Sequence, residues 1–322
     1  MKKIGVLTSG GDAPGMNACI RAVVRSSVAR GIEVVGIRRG YRGLIEGDFV
    51  PLGPRDVSHI LEHGGTILGS SRCDDMKILE GLRRAADVIN REGIDGLVAI
   101  GGDGTFRGAH ALYTGFGVKV VGVPGTIDND VYGTDYTIGF DTAVNNAVES
   151  IDKIRDTADS HDMVFFIEVM GRHRGFIAVA VGIACGAEEI LIPEVETDLN
   201  VLAKRIEGHF KAGKKSSLVI VTEGDAPGGA QYIANEVGSK VNHEYRVVQL
   251  GHVQRGGSPT ANDRILASEL GAAAVDALTD GVSGCMVGKI GSEIVRTPLE
   301  ETWSKSKELD LRLLKMLHII TI

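Results

Sequence analysis

One rhythm governs this chain: short apolar runs, most of them ending at glycine, alternate with stretches of helical periodicity. The runs are Ile4 to Leu7, Val34 to Ile37, Gly96 to Ile100, Lys119 to Val123, Val164 to Val169, Glu189 to Ile192, Leu218 to Val221, Val247 to Leu250 and Cys285 to Val287. They have the length of strands and are almost wholly apolar, as strands are when helices cover both faces of a parallel sheet. Helices fall in the intervals, one of them expected from about Asn17 to Arg30 with its stop at Gly31. The rhythm occurs twice over in 322 residues, which predicts an α/β protein of two Rossmann-like lobes, each three-layered (α/β/α) with a mostly parallel sheet.

The formal charge of −7 argues against nucleic acid or a membrane as partner, since both favour a basic surface. An anionic ligand must then be met by local groups of arginine and lysine. Cys19, Cys73, Cys185 and Cys285 are far apart and form no Cys-x-x-Cys pair, so free thiols in a reducing cytoplasm are expected. The first residues lead straight into a strand without the apolar run of a secretion signal, and no segment is long and apolar enough to span a bilayer.

Chemistry gathers where the runs end. Thr8-Ser-Gly-Gly-Asp-Ala-Pro-Gly-Met16 links the first strand to its helix, and its glycines suit either a phosphate approached by backbone or a tight structural turn. Gly101-Gly-Asp-Gly-Thr105 surrounds one acid with glycine at a helix start, which fits a nucleotide phosphate with Asp103 toward Mg²⁺. In Gly122-Val-Pro-Gly-Thr-Ile-Asp-Asn-Asp-Val131 the carboxylates of Asp128 and Asp130 are two apart and share a face, so one of them is a candidate proton acceptor for a substrate hydroxyl. Arg172, His173 and Arg174 follow another strand, as do His252 and Arg255, with Arg246 ahead of them and Glu223 able to hold sugar hydroxyls. Arg21 and Arg25 share one helix face.

Together these motifs resemble the 6-phosphofructokinases, and most closely the bacterial ATP-dependent type. The blocks are Leu7 to Asn17, Gly101 to Thr105, Pro124-Gly-Thr-Ile-Asp-Asn-Asp130, Glu168-Val-Met-Gly-Arg172 and Gly251-His-Val-Gln-Arg-Gly-Gly-Ser-Pro259, spread over nearly the whole chain. The resemblance implies transfer of the γ-phosphate of MgATP to the 1-hydroxyl of fructose 6-phosphate. It makes Asp128 the base, with Thr126 and Asp130 in support, Arg72 and Arg172 stabilising the moving charge and Gly11 donating its backbone N–H. It assigns ATP to Gly11, Tyr41, Arg72, Cys73, Gly102, Asp103, Gly104, Thr105 and Gly108, with Asp103 for Mg²⁺. It assigns the sugar phosphate to Thr126, Ile127, Asp128, Met163, Met170, Gly171, Arg172, Glu223, Arg246, His252, Val253, Gln254 and Arg255. Pyrophosphate-using relatives usually carry an acid in place of Gly104 and a lysine in place of Gly125, so this pair of glycines favours ATP as donor.

The family pattern further implies a homotetramer activated by ADP and inhibited by phosphoenolpyruvate. The effector site would be built from Arg21, Arg25, Arg55, Arg155, Gly186, Glu188, Lys214 and Lys215, altered in strength by Ala212 and Ser216. It also implies interleaved lobes: residues 1–139 with 253–304 for ATP, and 140–252 with 305–322 for fructose 6-phosphate. One departure stands out, because Met163 occupies a position where the family usually places an arginine reaching the 6-phosphate from a neighbouring subunit. A pyrophosphate-dependent or other sugar-phosphate kinase, and a non-catalytic regulatory homologue, are the competing readings.

Overall fold

A computed structural model describes residues 1–226 and 228–320. The strands are β1 Lys3–Thr8, β2 Glu33–Ile37, β3 Phe49–Pro51, β4 Gly96–Gly101, β5 Val120–Pro124, β6 Val164–Val169, β7 Glu189–Leu191, β8 Ser217–Thr222, β9 Tyr245–Gln249, β10 Cys285–Ile290 and β11 Glu293–Pro298. Between them run α1 Met16–Val28, α2 Gly40–Glu46, α3 Leu79–Arg91, α4 Asp103–Phe116, α5 Phe140–His161, α6 Phe176–Cys185, α7 Leu199–Lys211, α8 Gly229–Gly238, α9 Ala261–Thr279, α10 Glu301–Ser304 and α11 Arg312–Ile320. The chain divides into two units, Met1–Thr142 with Arg255–Lys307 and Ala143–Gln254 with Glu308–Ile322. The expected α/β class with mostly parallel sheets holds.

The first unit carries a seven-stranded sheet in the order β11-β10-β5-β4-β1-β2-β3. Its interior pairings are parallel, and only β3 and β11 run antiparallel at the two edges. Successive side chains of a strand face opposite ways. Leu7, Leu97, Ala99 and Val120 therefore join Phe106 and Leu112 of α4 and Ala85, Ala86 and Ile89 of α3 in one core. On the other face α1 and α9 pack on each other so closely that a Cβ at Gly271 would lie 2.8 Å from both Ala22 Cβ and Cys19 O.

The second unit holds a four-stranded sheet in the order β7-β8-β6-β9, parallel throughout. Phe166, Val219 and Val221 pack with Leu202 and Ile206 of α7 and with Ile233 and Val237 of α8. Among the described residues no helix is long and apolar enough to cross a membrane.

The apolar runs miss the two antiparallel edges. β11 is mostly exposed, and exposed edge strands lack the continuous apolar run used to find the others. A signal was available: Ile290 and Glu293 flank Gly291-Ser292, a two-residue hairpin turn, with Gly291 at φ 59°.

Candidate active site

In the first unit, β2 lies on one side of β1 and β4 on the other, so the strand order reverses between β1 and β4. Parallel α/β sheets bind ligands in the crevice that opens at the strands' carboxyl ends at such a point. The two glycine-rich loops rise there and are stitched together. Ser9 N donates to Ile100 O at 3.0 Å and Thr105 Oγ1 to Ser9 O at 3.0 Å. A Cβ at Gly101 would sit 2.3 Å from Thr105 Oγ1, so this glycine is required by the stitch itself. Tyr41, buried at 3 % exposure, donates its hydroxyl to Thr105 O at 2.6 Å, and its ring lies 2.9 Å from where a Gly108 Cβ would be. Both residues thus support the loop that leads into α4.

Gly102 caps α4 in extended conformation with no side-chain bond, leaving the helix start to its backbone amides. Asp103 is exposed and pairs with Arg107 at 2.7 Å. Gly104 faces open space, with nothing within 4 Å of a built Cβ. Gly11 is close-packed instead: its Cβ would meet Arg255 Nη1 at 2.6 Å, where that guanidinium donates to Asp12 O at 3.0 Å. The segment carrying Arg72 and Cys73 is tied to the same loop, Ser70 Oγ donating to Gly10 O at 2.5 Å. Arg72 is exposed, and Cys73 is half-buried with its thiol pKa pushed up by burial.

The acidic loop leaves β5 beside these. Gly125 N donates to Gly101 O at 2.9 Å, extending the β4–β5 ladder, and a Cβ at Gly102 would lie 3.6 Å from Thr126 Cβ. Thr126 Oγ1 accepts from Asp128 N at 3.2 Å, while Thr137 Oγ1 donates to Thr126 O at 2.6 Å. Asp128 is 3 % exposed and Asp130 partly exposed. Ile127, expected to touch the substrate, is fully buried and packs inside the loop. Asn129, between the acids, takes a left-handed φ of 53° and accepts from Thr137 N at 3.0 Å.

The second unit repeats the arrangement. Its strand order reverses between β6 and β8, and the loops after these strands are joined: Glu223 N donates to Val169 O at 2.9 Å and Arg172 N to Glu223 Oε1 at 3.0 Å. A Cβ at Gly224 would fall 1.8 Å from Arg172 O. Arg172 itself has φ 53°, an uncommon conformation for a non-glycine residue and one that clusters at functional sites. The fully buried Gln254 accepts from Met170 N at 2.9 Å, placing Met170, Gly171, Arg172, Glu223 and Gln254 in one cluster, with His252 and Val253 exposed beside Gln254. Met163 and Arg246 lie elsewhere, at the amino ends of the neighbouring strands β6 and β9. A strand of this length separates them from Arg172 by roughly 20 Å.

Of the expected effector residues, Arg155, Gly186, Glu188 and Lys214 come together in the second unit. Arg155 Nη2 donates to Cys185 O at 2.6 Å and Gly186 O at 3.0 Å, and Lys214 Nζ lies 3.4 Å from Glu188 Oε1. Glu188 is buried and also accepts from Leu218 N at 2.8 Å. Lys215 is exposed next to Lys214. Arg21 and Arg25 on α1 and the exposed Arg55 belong to the first unit.

Sequence reading passed over Lys307. Its ammonium donates to Asn129 Oδ1 at 2.8 Å and to Asp135 O at 2.7 Å, so it sits against the acidic loop although it is 178 residues away in the chain. It lies in the polar run Lys305-Ser-Lys-Glu308, which carries no motif.

No group of three or more His, Cys, Asp or Glu side chains able to cage a metal occurs among the described residues. A lone exposed carboxylate at Asp103 suits Mg²⁺, which keeps several waters and is held by one or two carboxylates together with substrate phosphates.

Comparison with known proteins agrees with this geometry. The sequence pattern of the family described as Phosphofructokinase matches residues 3–278. The chain is 58% identical over 322 residues to "ATP-dependent 6-phosphofructokinase 1" of Thermus thermophilus, covering 100% of both. It is 50% identical over 321 residues to the ATP-dependent 6-phosphofructokinase of Thermotoga petrophila, again covering 100% of both. Among solved structures, phosphofructokinase from Saccharomyces cerevisiae superposes with a TM-score of 0.89 at 35% identity, over 100% of this chain and 48% of that one. Motifs, fold and relatives agree, and the chain belongs to the phosphofructokinase family.

Proposed function

We propose that the protein transfers the γ-phosphate of MgATP to the 1-hydroxyl of D-fructose 6-phosphate, giving fructose 1,6-bisphosphate and ADP. One observation carries this reading. Gly125 N bonds Gly101 O at 2.9 Å, so a loop bearing a shielded carboxylate and a glycine loop with open space at Gly104 rise from adjacent strands. The ATP-dependent activity for which the Thermus and Thermotoga relatives are named supports ATP as donor.

Phosphoryl transfer asks the protein for positioning and for positive charge where negative charge spreads. Asp128 takes the proton of the attacking hydroxyl; its burial shields it from competing water. Thr126 and Asp130 shape the loop around it. Arg72, Arg172 and the Gly11 N–H stabilise the transferring group. Asp103 would hold Mg²⁺, which would supply positive charge against the phosphates of the nucleotide. Gly102 and Gly104 give the nucleotide room, on a loop held by Thr105, Gly108 and Tyr41 and flanked by Cys73. Met170, Gly171, Glu223, His252, Val253, Gln254 and Arg255 hold the sugar phosphate.

Supply of Arg246 from a neighbouring subunit of a homotetramer is supported by its place at the amino end of β9, the opposite end of the strands from Arg172. ADP and phosphoenolpyruvate are the proposed effectors, taken by Arg155, Lys214 and Lys215 with Arg21, Arg25 and Arg55.

Coupled assays with ATP and with pyrophosphate against fructose 6-phosphate test the donor, and turnover with pyrophosphate alone would replace it. Asp128→Ala tests the base: kcat should fall by at least about 100-fold with little change in KM, and an undiminished kcat would return the chain to a regulatory role.

A further inference from the structure

The Thr126–Asp130 loop has a fastening that its own sequence does not supply. Asn129 stands between the two acids and turns the backbone through a left-handed conformation, φ 53°, which asparagine tolerates better than most residues. The Asn129 side chain is held on both ends: Oδ1 accepts from both Thr137 N and Lys307 Nζ while Nδ2 donates to Asp135 O at 3.3 Å. Lys307 donates to Asp135 O as well, at 2.7 Å. Lys307, Asn129 and Asp135 therefore close one hydrogen-bonded ring across the base of the loop, and Thr137 joins it through Asn129 Oδ1. Thr137 carries it to Thr126 through the bond to Thr126 O.

We infer that Lys307 is a positioning residue for the phosphoryl-transfer loop, its ammonium locking Asn129 so that Asp128 and Asp130 keep their aim; this rests on the function proposed above. The charge matters as well as the bonds. Burial draws the lysine pKa down to about 8, against the pull of the Asp135 and Asp130 carboxylates in the other direction. A cation desolvated in this way is a poor source of stability, because removing it from water costs much of what its partners return. Its contribution is better sought in the geometry of the groups it touches. A misplacement of about 1 Å among reacting groups can cost about 100-fold in rate.

The test compares Lys307→Met, Lys307→Gln and Lys307→Arg with the wild-type chain in a coupled assay with ATP and fructose 6-phosphate. Hydrogen exchange of amides 126–137 and thermal unfolding are followed on the same samples. The inference expects kcat in K307M to fall about 10- to 100-fold with both KM values within about twofold, exchange to quicken in 126–137, and K307R to recover most of the rate. Asn129→Ala combined with K307M should lose no more rate than either alone, since both break one ring. An unchanged kcat in folded K307M, or a loss that tracks thermal stability and is not relieved in K307R, would overturn it as a mere tether. Should K307M yield no folded protein, K307Q decides on the same terms: reduced kcat supports the inference and wild-type kcat refutes it. If the wild-type chain shows no turnover with any donor, the function reading fails instead. Hydrogen exchange then judges Lys307 by itself, faster exchange confined to 126–137 supporting the lock and unchanged exchange refuting it.

Discussion

Replacing Gly104 with aspartate separates stability from donor use. Gly104 is the second residue of α4, its φ lies outside the left-handed region, and nothing lies within 4 Å of a built Cβ. The protein has no steric reason to keep glycine there. A glycine inside a helix costs about 0.8 to 1 kcal/mol relative to alanine, and an acid in the first turn adds about 0.3 to 1 kcal/mol in its favour. Gly104→Asp should therefore fold at least as stably as the parent, by up to about 1 kcal/mol. If the space beside Gly104 receives the nucleotide's inner phosphates, the new carboxylate faces like charge. Two unit charges about 5 Å apart repel by about 0.8 to 3 kcal/mol at effective dielectric constants of about 80 to 20. KM for ATP should rise about 4- to 150-fold, with KM for fructose 6-phosphate within about twofold. Steady-state kinetics and urea unfolding on the same preparation provide both readings. An unchanged KM for ATP would refute the assignment of that space to the nucleotide, and a loss of more than about 2 kcal/mol would refute its being open.

Two further outcomes are expected. Asp225 has its pKa raised to about 6, first by burial and then by the nearby Glu194 charge. Its folded pKa exceeds the unfolded value, so the folded state binds the extra proton, and stability is greatest below pH about 4 and declines as pH rises to about 6. After discounting for solvent screening, Asp225→Asn should raise stability by about 1 kcal/mol at pH 8, a gain mostly gone near pH 4; an equal gain at both pH values in urea melts would exclude the charge as its cause. Met163→Arg would restore a cation at the amino end of β6 beside Arg246, and a charge-assisted bond of about 1.5 to 3 kcal/mol predicts a KM for fructose 6-phosphate lower by about 10- to 100-fold. No change in KM would mean that Met163 lies outside the sugar-phosphate site.

Repetition along the chain determined the α/β class. A strand covered on both faces must be apolar throughout, and that demand is local enough to read residue by residue. The glycine and acidic loops were legible for the same reason, since each is a contiguous segment whose chemistry shows in its composition. Tertiary structure decided what depends on neighbours distant in sequence. Gly104 and Gly125 look alike in sequence, yet a Cβ at Gly104 meets nothing, whereas at Gly125 it would press to 3.0 Å from Ile100 Cγ2 and 3.2 Å from Met16 Cε. One glycine leaves room open and the other is held by packing. The edges β3 and β11 escaped because a strand paired on one side needs no apolar run. Lys307 escaped because a lysine in a polar segment is indistinguishable from a solvated one until the fold brings its ammonium to Asn129.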